Sequence, residues 1–279
     1  MESKCVRKKR HYDALDDIMH NIAGHAFSDD DFKKSKYELE VVDAEFPKGV
    51  ISMEETLNNE LPFLSQPRNC QWRAINAENL NLEYSNFYNE KEADMLMSQC
   101  EKEIIYNVGE LAKVQMFGKW IDIPRKQVAY GDEGLTYTFS GKTLPARPWT
   151  SLLLKIRDQI YEATGYTFNF VLINRYKDGN DYIGEHKDDE KELYPGYPIA
   201  SLTLGQLRDF VFKHQDSRRI KALRNVGTIT LQLEHGSLLL MKHPTNSYWY
   251  HSLPRRKKAI GVRLNLTFRR MEPSKCKAA

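Results

Sequence analysis

The sequence predicts an α+β fold, because two helical patterns precede a run of strands. The helical patterns fall within residues 91–164, and from residue 168 onward apolar residues recur at every second position. Most connections between these strands are too short for helical crossovers, so we expect antiparallel sheets. No internal repeat or low-complexity tract is present in the sequence.

Each helix has its own local signals. Lys91–Ile105 places three apolar side chains partly on one face. The second helix is predicted over Thr150–Thr164, where Leu153, Ile156 and Ile160 recur at helical spacing. Threonine is a common N-cap and a glycine, here residue 165, is a common stop signal, so both ends of the second helix are marked.

The strands follow the second helix. The predicted segments are Phe168–Tyr176, Ile199–Leu204, Asp209–Lys213, Thr228–Leu233, Ser237–Met241 and Ala259–Arg269. The last strand alternates, with Ile260, Val262, Leu264, Leu266 and Phe268 on one face and Arg263, Asn265, Thr267 and Arg269 on the other. A solvated sheet face and the polar interior of a small barrel both account for the second set.

Composition divides the 279 residues unevenly. Residues 1–65 alternate charged clusters with short apolar stretches, which predicts a flexible N-terminal extension. Residues 66–271 form the predicted folded domain, and residues 272–279 a C-terminal tail. Residues 1–69 hold 10 basic and 14 acidic residues, whereas the remainder holds 31 and 24. The basic domain suits a polyanion, although scattered surface charges explain the excess equally well.

The sequence argues against a secreted or membrane protein. No apolar run approaches the roughly 20 residues that span a bilayer, and the basic N-terminus has no apolar signal region. Four scattered cysteines without a C-x-x-C pair fit reduced thiols in the cytosol or nucleus. The cluster at residues 7–10 is a weak nuclear import signal, and we expect a nuclear monomer with no membrane contact.

His186, Asp188 and His251 are the candidate metal ligands. His186 and Asp188 share one side of an extended segment, and His251 follows an aromatic pair. Two histidines and one carboxylate can hold Fe(II) on one face, which leaves positions open for a cosubstrate and O₂. Taken singly, each histidine is more often structural than a ligand.

Candidate anchors for a cosubstrate distinguish this pattern from a zinc site. Arg263 comes after His251 in the chain and belongs to the predicted last strand. Asn174 and Tyr176 share a face of an earlier strand. Arginine binds carboxylates bidentately, so this set suits a dicarboxylate such as 2-oxoglutarate. Zinc hydrolysis would leave these residues unexplained.

These motifs resemble the AlkB family of Fe(II)/2-oxoglutarate dioxygenases over roughly residues 70–271. The family motifs are Asn174-Arg175-Tyr176, His186-Lys187-Asp188-Asp189, His251 and Arg263-Leu264-Asn265-Leu266-Thr267-Phe268-Arg269. Three further stretches resemble the branch that repairs alkylated duplex DNA: Phe117-Gly118-Lys119-Trp120, Pro124-Arg125-Lys126 and Tyr137-Thr138-Phe139-Ser140.

The resemblance implies a double-stranded β-helix (jelly-roll) core with flanking helices and a nucleotide-recognition lid. It implies that residues 66–271 are a dioxygenase catalytic domain with Fe(II) on His186, Asp188 and His251. It assigns 2-oxoglutarate to Asn174, Tyr176, Arg263, Thr267 and Arg269. The implied reaction consumes O₂, demethylates 1-methyladenine and 3-methylcytosine in double-stranded DNA, and releases formaldehyde and succinate; etheno adducts are a further possibility.

The resemblance also assigns residues to the nucleic acid, whose damaged base must leave the stack. Phe117 matches a hydrophobic finger that fills the opened step, although an apolar residue here also suits a core strand. The substrate-binding set is Phe117, Gly118, Lys119, Tyr137, Thr138, Phe139 and Asp189, with Glu190 assisting; a solvated acidic turn is the alternative for the last two. The expected phosphate contacts are Lys119, Arg125, Lys126, Lys213, Arg218, Arg219, Lys221 and Arg224.

Several alternatives remain open at this point. An AlkB-type demethylase of RNA or single strands has the same metal set, and a catalytically silent nucleic-acid-binding module would keep the fold. Residues 1–5 lack the aromatic or aliphatic pattern of a sliding-clamp motif, so a sliding-clamp partner is possible but unsupported.

Overall fold

A computed structural model describes residues 53–116, 119–139, 142–218 and 224–275. The described helices are α1 (Met53–Glu60), α2 (Glu90–Glu103), α3 (Ser151–Thr164) and α4 (Thr245–Tyr248). Strands β1 to β8 are Arg73–Ala77, Leu80–Asn86, Lys113–Met116, Lys119–Asp122, Lys126–Gly131, Thr136–Phe139, Lys142–Pro145 and Arg147–Pro148. Strands β9 to β16 are Phe170–Tyr176, Ile183–His186, Ile199–Gly205, Arg208–His214, Ile229–Leu233, Ser237–Lys242, Trp249–Leu253 and Arg263–Arg269.

Both predicted helices are confirmed, and local capping explains where they begin and end. Asn89 and Glu92 form a reciprocal capping box at the start of α2. Thr150 Oγ1 accepts a hydrogen bond of 3.2 Å from the backbone N–H of Leu153 at the start of α3. Gly165 follows α3 with a φ of 73°, a left-handed conformation that glycine adopts at little steric cost.

The strands form two main sheets and two hairpins. The large sheet has the order β1-β2-β14-β11-β16-β9-β5-β8, and the small sheet has the order β10-β15-β12-β13. Strands β3 and β4 form one hairpin, and β6 and β7 form the other. In the described part of the chain, all strand pairs are antiparallel except the two-residue pair β5–β8. This architecture is consistent with a jelly roll, so the predicted fold class is confirmed.

The large sheet packs on both faces. Helices α2 and α3 cover one face through apolar residues such as Leu96 and Ile156, which belong to a buried cluster that also holds Leu266. The opposite face packs against the small sheet, where Leu239 of β14 belongs to the same cluster as Phe212 of β12. The sheets therefore enclose an interior between them, and this is where polar side chains from β9 and β16 lie.

The expected order of elements is only partly right. Strands β1 and β2 precede α2, and β3 to β8 lie between α2 and α3, so helices do not simply come first. Alternation of burial is the usual strand signal, and β1, β4 and β5 lack it, whereas β2 alternates over its first residues. Most residues of β1 and all of β4 are exposed, whereas nearly all of β5 is buried.

The predicted last strand begins too early. The observed strand, β16, starts at Arg263, whereas the prediction started at Ala259. Ile260, which was predicted to lie in the strand, is 86% exposed. Gly261 donates its N–H to the side chain of Gln206, and a Cβ at residue 261 would lie 2.9 Å from that side chain's oxygen. This contact binds the segment to the turn after β11, so the sheet pairing starts only beyond it.

The predicted flexible extension is also too long. Leu57, Leu61, Phe63 and Leu64 are buried in the same apolar cluster as α3, so residues 53–65 belong to the folded structure. Their short apolar stretches gain burial only from packing on a distant segment, which local composition does not reveal. Residues 1–52, with the basic cluster and the positions considered for clamp binding, lie outside the described residues. Among the residues that the structure describes, no helix has both the length and the apolar character needed to cross a membrane.

We expect Leu266→Ala to lower the free energy of unfolding by about 2–5 kcal/mol, because it opens a cavity beside a fully buried side chain. Ile260→Ala is the control, since both residues were assigned to one apolar face of the strand. We expect this exposed position to change stability by less than about 0.5 kcal/mol. Urea denaturation checks both, and equal losses would contradict the observed start of β16.

Candidate metal and cosubstrate site

The three candidate ligands meet where β10 and β15 pair. His186 ends β10 and lies opposite His251 of β15, so the two imidazole centroids are 4.3 Å apart. Asp188 follows two residues beyond β10. Its Oδ1 lies 3.5 Å from His186 Nε2 and 3.7 Å from His251 Nε2. One ligand atom from each residue fits within 4.8 Å of the others, which is a spacing that one cation can bridge.

Hydrogen bonding prepares His186 as a ligand. Its Nδ1 lies 2.9 Å from the carbonyl oxygen of Gly184, which only accepts a hydrogen bond. The proton therefore sits on Nδ1, and the Nε2 lone pair is directed towards Asp188. Such a backbone partner for the outer nitrogen is usual for metal-binding histidines.

Neighbouring charges keep Asp188 ionised, and burial keeps His251 neutral. Burial alone would raise the pKa of the Asp188 carboxyl, but Arg269, His186 and His251 outweigh it and hold the pKa well below its ordinary value. Burial lowers the pKa of His251 to about 3, with His186 adding to the effect. A carboxylate and a neutral imidazole are the protonation states that bind metal.

Arg269 belongs to the metal side of the site. Its Nη2 lies 3.0 Å from Asp188 Oδ2, and its Nη1 lies 3.4 Å from Glu190 Oε1. Burial would lower the pKa of Arg269, but these two carboxylates raise it. Burial also raises the pKa of Glu190, and Asp188 adds to this while Arg269 opposes it. Arg269 therefore orients Asp188 from the side opposite the histidines.

Arg263, unlike Arg269, has no carboxylate within 4.0 Å among the described residues. Its Nη2 donates to Thr203 Oγ1 at 2.9 Å, while Nε and Nη1 are buried without a hydrogen-bond partner in the described part of the chain. Burial lowers the pKa of Arg263 to about 10, so it remains a cation at neutral pH. Unpaired buried donors are unfavourable, and a bidentate carboxylate is the group that satisfies them best.

A cavity of about 630 Å³ connects the metal triad to Arg263. Strand pairing explains its composition, because Asn174 lies opposite Asn265 and Tyr176 lies opposite Arg263. Asn174 Oδ1 accepts a hydrogen bond of 2.7 Å from Arg125 Nε. The sequence-predicted residues that line this cavity are His186, Asp188, His251, Asn174, Tyr176, Arg263, Thr267, Arg269, Tyr137, Thr138 and Asp189.

Other predicted substrate residues are placed differently. Lys119 is exposed on β4 and does not line the cavity. Phe117 and Gly118 lie outside the described residues, between the paired residues Met116 and Lys119. Phe139 ends β6, but its side chain is not among those described.

The expected phosphate contact of Arg125 is wrong. Its side chain is buried, lines the cavity and bonds to Asn174, so it does not face a surface phosphate. Lys126 next to it is exposed. Lys213 Nζ lies 3.8 Å from Glu185 Oε1, and Arg218 Nε lies 2.8 Å from Glu185 Oε2. Arg224 forms ion pairs with Asp216 and Glu78. Arg219 and Lys221 lie outside the described residues.

Sequence reasoning missed several cavity residues. Ser201, Phe210 and Met241 come from strands whose inward faces are set by sheet pairing. Asn265 was seen only as part of a motif, yet its Nδ2 donates to Ser201 Oγ at 2.8 Å inside the cavity. The alternation along β16 indicated that Asn265 shares the polar face. For Ser201, Phe210 and Met241 the sequence carried no signal beyond strand periodicity.

Comparison with known proteins decides the family. A family model described as the 2OG-Fe(II) oxygenase superfamily matches residues 83–269. This chain belongs to that superfamily. Membership implies Fe(II), 2-oxoglutarate and O₂, which confirms the predicted cofactors.

Similar proteins narrow the family to AlkB, as the motifs predicted. The human protein named DNA oxidative demethylase ALKBH2 is 58% identical over 200 residues, which cover 72% of this chain and 77% of the relative. The mouse protein of the same name is 56% identical over 204 residues, which cover 73% and 85%. Mouse alpha-ketoglutarate-dependent dioxygenase alkB homolog 3 is 33% identical over 196 residues, which cover 68% and 65%.

We expect the metal-free protein to lose stability as the pH falls from 6.5, the ordinary histidine value, towards about 3, the pKa of His251 in the folded protein. In this range the unfolded chain takes up a proton at His251 that the folded protein does not, which lowers the free energy of unfolding by up to about 1.4 kcal/mol per pH unit. His251→Asn removes this contribution, so its slope is shallower. Urea denaturation at several pH values measures both slopes, and identical slopes would refute the buried neutral imidazole.

Proposed function

We propose that this chain oxidatively demethylates N-alkylated bases, such as 1-methyladenine and 3-methylcytosine, in double-stranded DNA, and releases formaldehyde and succinate. The observation that carries the proposal is the pairing of a His-Asp-His triad with a buried, unsatisfied Arg263 in one cavity. The names of the relatives with 56% and 58% identity support DNA as the substrate.

The residues fit a ferrous site with a dicarboxylate beside it. His186, Asp188 and His251 would hold Fe(II), which together with bound 2-oxoglutarate supplies the O₂-dependent oxidation of the methyl group. Arg263 would bind the carboxylate far from the metal through its free nitrogens. Asn174, Tyr176 and Thr267 line the same part of the cavity and would orient the cosubstrate.

The cavity wall also suits a methylated base. Tyr137 lines it, and the Arg269 guanidinium carbon lies 5.9 Å from its ring centroid. Burial raises the pKa of Tyr137, with Glu190 adding to the effect, so its hydroxyl stays protonated. A methylated base carries positive charge, which an aromatic face and the carboxylates of Asp189 and Glu190 would favour.

Access to this cavity requires a base that has left the duplex. We propose that the β3–β4 and β6–β7 hairpins form the nucleotide-recognition lid, because Val114, Tyr137 and Thr138 from them line the cavity. Phe117 would fill the step that the base vacates. The exposed cations Lys119 of β4 and Lys126 of β5 would contact phosphates, in keeping with a nuclear DNA-binding enzyme.

The first test is formaldehyde release from a duplex with one 1-methyladenine, with and without Fe(II) and 2-oxoglutarate. We expect release only with both, and none from His186→Ala, because that variant lacks a metal ligand. His243→Ala removes an exposed histidine and serves as the matched control. DNA affinity of His186→Ala should stay within about twofold, since phosphate contacts are remote from the metal. Turnover of His186→Ala above a few per cent of the unmodified chain would contradict the proposal.

The second test separates duplex from single-strand repair. We expect Phe117→Ala to reduce turnover on methylated duplex by about 10-fold or more, and turnover on single strands much less, because only a duplex has a gap to fill. Ile121→Ala, an exposed apolar change on the adjoining strand, is the control. Equal losses on duplex and single strands would count against the finger. A preference of the unmodified chain for methylated RNA or single strands would favour an enzyme of that substrate class instead.

A further inference from the structure

A side-chain amide holds the peptide of Asp188 from outside the cavity. Asp188 lies beyond the end of β10, where the sheet no longer supplies hydrogen bonds. Asn246 of α4 supplies the hydrogen bonds instead. Its Oδ1 accepts a hydrogen bond of 3.0 Å from the Asp188 N–H, and its Nδ2 donates to the Asp188 carbonyl. One amide therefore satisfies both backbone groups of the candidate metal ligand, as a neighbouring strand would.

Helix α4 is itself fixed to the large sheet. Thr245 is buried, and its Oγ1 accepts a hydrogen bond of 2.8 Å from the N–H of Asn81 and donates one of 3.1 Å to the carbonyl of the same residue. Trp249, which follows α4, donates its indole N–H to the Glu78 carbonyl at 2.9 Å. The helix is thus attached to the start of β2 and to the turn before it, which holds Asn246 in place.

The same helix leads directly into the strand of the third ligand. Strand β15 starts at Trp249 and carries His251, so α4 and His251 are parts of one short segment. Lys187 strengthens the link, because its Nζ donates to the Ser247 carbonyl at 2.5 Å. Asp188 and His251, 63 positions apart in the chain, are therefore located relative to the same four-residue helix.

We propose that Asn246 is a positioning residue that sets the distance between the Asp188 carboxylate and His251 and thereby the metal affinity. The proposal rests on the proposed function, in which these residues bind Fe(II). Arg269 holds the carboxylate and Asn246 holds the backbone, so two independent constraints act on Asp188. Without Asn246, the carboxylate stays paired with Arg269 while its backbone shifts. Loss of such an outer contact typically weakens metal binding by about 10–100-fold.

The test is Co(II) binding to the metal-free protein, followed by visible absorption. We expect Asn246→Ala to raise the Kd for Co(II) by about 10–100-fold. Asn246→Asp should weaken binding as well, because it keeps the size of the side chain but turns an acceptor towards the Asp188 carbonyl. Ser247→Ala is the control, since Ser247 offers its backbone carbonyl to Lys187, and we expect its Kd to stay within about twofold.

Thermal unfolding of each metal-free variant separates positioning from general destabilisation. We expect all three variants to be folded at the titration temperature. Wild-type Co(II) affinity in Asn246→Ala or in Asn246→Asp would overturn the inference, as would a loss in Asn246→Ala that merely follows its unfolding. His186→Ala tests the underlying site: if it binds Co(II) as tightly as the unmodified chain, the proposed metal site fails, and this inference fails with it.

Discussion

Strand β16 is buried on both faces, and the rest of the molecule is arranged around that constraint. Its apolar side chains, such as Leu266, pack towards α2 and α3, so the helices must lie on one side of the large sheet. Its polar side chains, such as Arg263, then face the other way, and they need an interior that holds hydrogen-bond partners. The small sheet encloses that interior, and pairing with β9 brings Tyr176 opposite Arg263. The cavity thus follows from the two-residue period of a single strand.

Buried charges give the two ends of this interior opposite preferences for a bound ion. Asp188 and Arg269 form an ion pair at 3.0 Å, with both side chains almost fully buried. The carboxylate also faces the Nε2 atoms of His186 and His251, so this end attracts a cation. Arg263 keeps two buried donors free, so the other end attracts an anion. A metal and a dicarboxylate bound together complement both ends, which is the chemistry expected of a 2OG-Fe(II) oxygenase.

Local patterns predicted the elements whose signals lie within a few residues. The capping residues of α3 and the alternation of β16 are such signals, and both elements were confirmed. Elements without local alternation were missed, such as the exposed β4 and the buried β5. Arg125 misled the sequence analysis for a similar reason. Because Arg125 is a cation next to Lys126, the sequence suggested a phosphate contact. Only the hydrogen bond from Arg125 to Asn174 shows that the Arg125 side chain points inward.

The sequence by itself determined the family, the triad and the alternating polar face, because each depends on residue type and spacing. Only the tertiary structure decided that this polar face is an enclosed interior, and that Arg269 pairs with Asp188 while Arg263 does not. It also decided that Asn246 hydrogen-bonds to the backbone of Asp188, a candidate metal ligand 58 positions away, which no motif indicates. The physical reason is that hydrogen bonds and ion pairs between distant segments depend on sheet pairing and packing, and these bring together residues whose spacing in the chain carries no signal.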